Sequence, residues 1–224
     1  MKQIVKRFRS YWLQDISFAT LLLMLGFTIF IVPTFQAKLP EGNHLQSTMF
    51  LILFFVGIFS SYTKPMLFVT SMLFITGLTL AFIQPSNDNL NILISMKIVF
   101  ALNTLAFIYN NFKLLFRDEE FNFERVLGAV NVYLLIALLG AFLFELIQLF
   151  FETSIKGEVK LIGTDQDFAE YIYFSFVSLT TVGFGDIYPA NQSARMLSVF
   201  LSTIGILFPA IVIARLVSLG KRKR

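Results

Sequence analysis

The sequence predicts an all-α membrane protein: six spanning helices, with a further short helix that enters the bilayer without crossing it. Three observations carry this prediction. Apolar runs close to the ~20 residues needed to cross a bilayer recur along the chain. Only 14% of residues are charged while 56% are hydrophobic, where a soluble domain carries about a quarter charged. Most basic residues bracket the apolar runs instead of interrupting them, as membrane topology requires. The net charge of +4 therefore has a topological origin, and nucleic acid is not an expected partner. The 28 phenylalanines suit lipid-facing and inter-helix packing better than a soluble core.

Taken in order, residues 1–14 are basic and aromatic, with Lys2, Lys6, Arg7, Arg9 and Trp12. They read either as an amphipathic helix on the membrane surface or as a cytoplasmic flank with aromatic anchors. No small-residue cleavage site follows the first apolar run, which argues against a secretory signal. Spanning helices are expected at 16–32, 45–61, 66–83, 90–109, 126–151 and 196–219, and Pro33, Pro40, Pro65 and Pro85 fall at their edges, where helices start or stop. With both termini in the cytoplasm, thirteen of the 18 basic residues lie inside, four lie outside, and Lys97 stays within a helix. That excess satisfies the positive-inside rule and makes the chain a multi-pass protein of the cell membrane. The organisation is an interfacial segment (1–14), a four-helix domain (15–110), a linker (111–125), a two-helix domain (126–220) and a basic tail (221–224).

Between the last two spans lies the stretch with the most chemical content. Residues 167–180 read as a short helix, apolar nearly all round as a buried helix is. Asp167 and Glu170 have the spacing of a capping box at its start. Its C-terminal carbonyls and dipole favour a cation. It runs into Thr180-Thr181-Val182-Gly183-Phe184-Gly185-Asp186, and Tyr188-Pro189 ends the loop. Glycine adopts positive φ without steric cost, which lets Gly183 and Gly185 turn their carbonyls to the same side as their neighbours'.

A Thr-Val-Gly-aromatic-Gly run ending in Asp, set between two spanning helices, resembles the selectivity filter of tetrameric potassium channels, where rings of backbone carbonyls replace the water around the ion. The resemblance is specific over 126–219 and only architectural over 16–109. It implies a homotetramer, K⁺ as the permeant ion, no other cofactor, and ion sites at Thr181, Val182, Gly183, Phe184 and Gly185. Thr180 and Asp186 would support the filter. In the family an aromatic donor of the pore helix, usually tryptophan, binds the aspartate, and Tyr173 stands at that position with Phe174 next to it. Phe184 replaces the commoner tyrosine, which puts filter rigidity in question. Gly205 matches the family's hinge glycine, and Pro209 after Phe208 removes a helix hydrogen bond. These three are the candidates for an inner gate.

Six spans with a filter between the last two is the plan of voltage-gated potassium channels, but the fourth helix departs from it. Such helices carry several regularly spaced basic residues, since charge moved through the field supplies the gating energy. Span 90–109 has Lys97 alone, which either snorkels or meets a polar group on a neighbouring helix. Conventional voltage sensing is therefore not expected. Glu145 is a carboxylate in a span, costly by default, and reads as a brace for the filter backbone in preference to an ion ligand. The 152–166 loop reads as an outer turret.

Enzymatic function has little support: His44 is the sole histidine, cysteine is absent, and no carboxylate pair suggests a metal site. Two other readings stay open. One is a non-selective cation channel, which usually alters the filter, often with an acid where Phe184 stands; the other is a non-conducting membrane scaffold.

Overall fold

A computed structural model describes residues 17–36, 45–59, 63–84, 89–115, 123–159, 161 and 167–221. The interfacial segment 1–14, linker residues 116–122 and the tail residues 222–224 lie outside the described residues. The expected all-α membrane architecture is present. Seven helices are described: α1 (Ser17–Gln36), α2 (Leu45–Phe59), α3 (Lys64–Ile83), α4 (Leu90–Leu115), α5 (Phe123–Phe151), α6 (Phe168–Leu179) and α7 (Gln192–Lys221). Five of them, α1, α3, α4, α5 and α7, are long and apolar enough to cross a membrane. The sixth expected span, α2, is described over only 15 residues, about 22 Å at 1.5 Å per residue, shorter than the ~30 Å hydrocarbon core. The fourth span runs past its expected end at residue 109 as far as Leu115, so the linker begins as helix.

Local chemistry accounts for the helix ends and irregularities. Thr63 precedes α3, and Pro65 sits in its first turn, where no N–H is missed. Asn191 accepts the Ala194 N–H at 2.8 Å and so caps α7. In α1, Phe27–Ile31 is π-helical, with Val32 N–H donating to Phe27 O. Pro33 follows and has no N–H to offer Thr28 O, the next acceptor in that register. Gln46 of α2 reaches that carbonyl, at a long 3.5 Å.

The core is aromatic. Phe50 and Phe54 of α2, Phe100 of α4, Phe142 of α5 and Phe168 of α6 are each at most 3% exposed. Their rings meet mostly edge to face, 4.9–6.3 Å between centroids. That geometry is worth about 0.5–1.5 kcal/mol per pair beyond burial. Within a bilayer, helices associate by close packing more than by the hydrophobic effect, so small residues mark the crossings. A Cβ on Gly128 would lie 2.9 Å from the Phe18 ring, where α5 crosses α1. A Cβ on Gly140 would overlap Ser175 Oγ and lie 2.8 Å from Leu201, where α5 meets both α6 and α7. The packing thus places α6 between α5 and α7, with the aromatic cluster joining its start to α2, α4 and α5.

Candidate functional site

The site forms where α6 hands over to the glycine-rich loop. Asp167 and Thr180, the expected limits of the short helix, are its two capping residues. The expected capping box is absent, because Asp167 has helical φ and ψ and its side chain makes no capping hydrogen bond. The start of α6 is held instead by Phe168, packed against Phe50 and Phe142 at centroid distances of 5.0 and 4.9 Å.

Its far end is held by side chains from both flanking helices. Tyr133 of α5 donates to Leu179 O at 3.3 Å. Ser202 of α7 donates to Ser178 O at 2.8 Å, and the Ser178 and Ser198 hydroxyls are 2.9 Å apart. Ser175 donates to Ala137 O at 2.6 Å across the α5 crossing. Thr180 donates its hydroxyl to Phe176 O at 2.7 Å, closing the last turn. Several carbonyls at this end are therefore occupied, where the sequence reading has them free to face a cation. Sequence reasoning missed Tyr133 and the serines. A signal exists for the serines, since Ser198 and Ser202 lie four apart on an apolar helix and so share one face.

In the loop, φ is positive at Thr181 (60°), Gly183 (59°) and Gly185 (85°), and at neither residue between them. Alternating hands along consecutive residues is the backbone condition for directing a run of carbonyls to one side. The glycines adopt it freely. Thr181 does not: a β-branched residue with positive φ is an outlier, of the kind that costs about 1–3 kcal/mol and clusters at functional sites. Nothing in the sequence signals that strain. A Cβ on Gly183 or Gly185 would meet nothing within 4 Å, so backbone conformation alone calls for glycine there.

Behind the loop, Tyr173 donates its hydroxyl to Asp186 Oδ2 at 2.6 Å, and Asp186 Oδ1 accepts the Ile187 N–H at 2.9 Å. The Tyr173 hydrogen bond is the largest influence holding the Asp186 carboxyl below the usual carboxylate range. The Tyr173 and Phe184 rings stack 6.5 Å apart and nearly parallel, and Phe184 is 70% exposed on the single chain.

The loop after α5 is tied to the far side of the same segment. Strand β1 (Ile155–Gly157) pairs antiparallel with β2 (Ile187–Pro189), with Gly157 opposite Ile187. Glu158 N–H donates to Asp186 O at 3.0 Å. Gly157 has φ 136°, and a Cβ there would run into the Asp186 carbonyl. Gln148 closes the turn out of α5, donating to Glu152 O at 2.6 Å and accepting the Ser154 N–H at 2.7 Å. Three-residue strands inside a loop carry no periodicity to read.

The gate candidates are set as follows. Gly205 packs where a Cβ would overlap the Leu179 carbonyl, so close approach to α6 is what requires glycine. Pro209, four residues on, has no N–H for the Gly205 carbonyl, yet α7 continues through it. The Phe208 ring lies 6.2 Å from Tyr133. Glu145, expected to brace the filter backbone, directs Oε1 to Lys97 Nζ of α4 at 2.7 Å. Of the two alternatives for Lys97, it takes the neighbouring helix.

Residues 129–222 match the family model described as an ion channel. The matched segment begins within α5 and takes in α6 and α7. Two-pore potassium channel 4 of Arabidopsis thaliana is 37% identical over 57 residues, 25% of this chain and 20% of that protein. The aligned segment thus spans about a fifth of the relative's length. No solved structure matches the chain.

Proposed function

We propose that the chain is one subunit of a potassium-selective channel, with four copies around a central pore conducting K⁺ passively along Thr181–Gly185. The observation that carries this reading is the positive φ at Thr181, Gly183 and Gly185, in a loop held from behind by Asp186 and from below by α6. That alternation suits consecutive carbonyls, with the Thr181 hydroxyl, to take the place of an ion's hydration shell. The similarity to a protein named a potassium channel supports K⁺ as the ion.

A tetramer is supported by what one chain leaves uncovered. Irregular backbone at membrane depth is tolerated only where protein or a water-filled cavity surrounds it, and Thr181 to Gly185 are all exposed on the single chain. Three further copies provide both the protein and the cavity. In this reading both termini face the cytoplasm, the filter lies at the outer face of the cell membrane, and Gly205, Phe208 and Pro209 form the inner gate. With Lys97 paired to Glu145, the four-helix domain carries no free row of sensing charge, so conduction is not steeply voltage-dependent.

The test is flux from liposomes holding the purified protein, under K⁺ and then Na⁺ gradients with a barium-blocked control. Barium-sensitive K⁺ flux without Na⁺ flux is expected. Equal fluxes would sink selectivity and favour a non-selective cation channel. No flux from wild type or from a Phe208→Ala chain would favour the scaffold reading.

A further inference from the structure

The Lys97–Glu145 pair lies within the membrane-spanning part of the chain, with side chains 3% and 8% exposed. Between residues 90 and 112 Lys97 is the sole charged residue of α4. Its ammonium also lies 5.9 Å from the centroid of Phe168, the first residue of α6, a distance at which cation and ring attract. Three elements therefore meet at one charge: α4 of the four-helix domain, α5, and the start of the helix that carries the loop.

Stability alone does not explain such a pair. Desolvating two charges consumes most of what their attraction returns, and well-packed apolar replacements are often as stable or more so. What an ion pair adds is a fixed distance and direction. The start of α6 is where that direction acts, because the Phe168 ring, packed against Phe50 and Phe142, anchors it there. From Phe168 to Leu179 the helix is 12 residues long, about 18 Å of stiff rod, so a shift at Phe168 is delivered to Thr180 and Thr181.

We propose that Lys97 is a positioning residue for the filter: through Glu145 and Phe168 it fixes α6 against the four-helix domain, and so lets that domain set the filter's K⁺ occupancy. The proposal rests on the reading of Thr181–Gly185 as the K⁺ pathway. It gives the four-helix domain a role without voltage sensing, as the frame against which the filter is held.

The test uses the full chain in two measurements. One is the thermal midpoint in detergent in KCl against NaCl, since an ion bound by the folded state raises the midpoint. The other is the time course of barium-sensitive K⁺ flux from liposomes. Wild type is expected to show a K⁺-specific rise and sustained flux. In Lys97→Met the KCl concentration giving half of that rise should increase about tenfold, a loss of about 1.4 kcal/mol of ion binding, and flux should decay faster. The exchanged pair, Lys97→Glu with Glu145→Lys, should restore both.

An unchanged K⁺ dependence in Lys97→Met overturns the proposal, as does an exchanged pair that stays at the Lys97→Met level. If Lys97→Met does not fold, Lys97→Met with Glu145→Leu removes both charges and leaves no orphan. Weakened K⁺ dependence in that chain supports positioning, and wild-type behaviour overturns it. Wild type lacking both K⁺-specific stabilisation and K⁺ flux would instead refute the channel reading itself.

Discussion

The Tyr173 hydrogen bond to Asp186 ties the far end of the loop to the helix behind it, and its protonation chemistry can be followed. The Tyr173 hydroxyl holds the Asp186 carboxyl below the usual range, so the folded chain binds that proton more weakly than the unfolded chain does. The bond's contribution is therefore fully present above the unfolded carboxyl value of about 3.9, and is lost as pH falls through the lower folded value. In Tyr173→Phe that proton is bound at higher pH, so acid should reach the thermal midpoint sooner and filter-based decay of K⁺ flux should speed up. An unchanged acid limb and unchanged decay would leave the bond without a role. Glycines give a second contrast at this scale. Gly205→Ala would drive a methyl into the Leu179 carbonyl, and a lowered melting temperature with loss of flux is expected. Gly26→Ala meets nothing within 4 Å and should stabilise by up to about 1 kcal/mol, because alanine is the better helix former.

At the scale of elements, α6 is a short helix suspended between two long ones by side-chain hydroxyls. Ser202→Ala removes the donor to Ser178 O and should cost about 1 kcal/mol, read as a fall in thermal midpoint. The limits of α6 were legible in the sequence because Asp167 and Thr180 bracket an apolar run between two polar stretches. How it is held was not, because Tyr133 and Ser202 stand 46 and 24 residues from the carbonyls they bind. The π-helical turn of α1 was half legible. Pro33 marks an irregularity, but whether a helix ends there or runs through with a shifted register depends on who takes up Thr28 O. Phe30, within that turn, places its ring 5.5 Å from Phe176 of α6, so the irregularity reaches the site.

Across the whole molecule, the spacing of apolar runs was enough to place the helices, though not their lengths: α2 is described over only 15 residues and α4 runs on to Leu115. The pairing of Lys97 with Glu145 was not legible. Each residue is visible as a charge in an apolar run, but partner choice belongs to packing, and they stand 48 residues apart in the chain. That pair also bears on how the chain is made. A lysine within a span costs about 2.5–3.5 kcal/mol to insert when it is central, less toward an end, and α4 emerges from the ribosome before α5. Until α5 arrives, Lys97 lacks the Glu145 carboxylate it meets in the finished fold, so α4 rests in lipid less securely than its apolar residues suggest. Insertion of the fourth span, followed with glycosylation sites, should therefore be less efficient in a chain cut after residue 115 than in one extending to residue 151. Lys97→Leu should erase that difference. The partner that orients the finished structure is, during synthesis, the later helix that makes the earlier one's stay in the membrane secure.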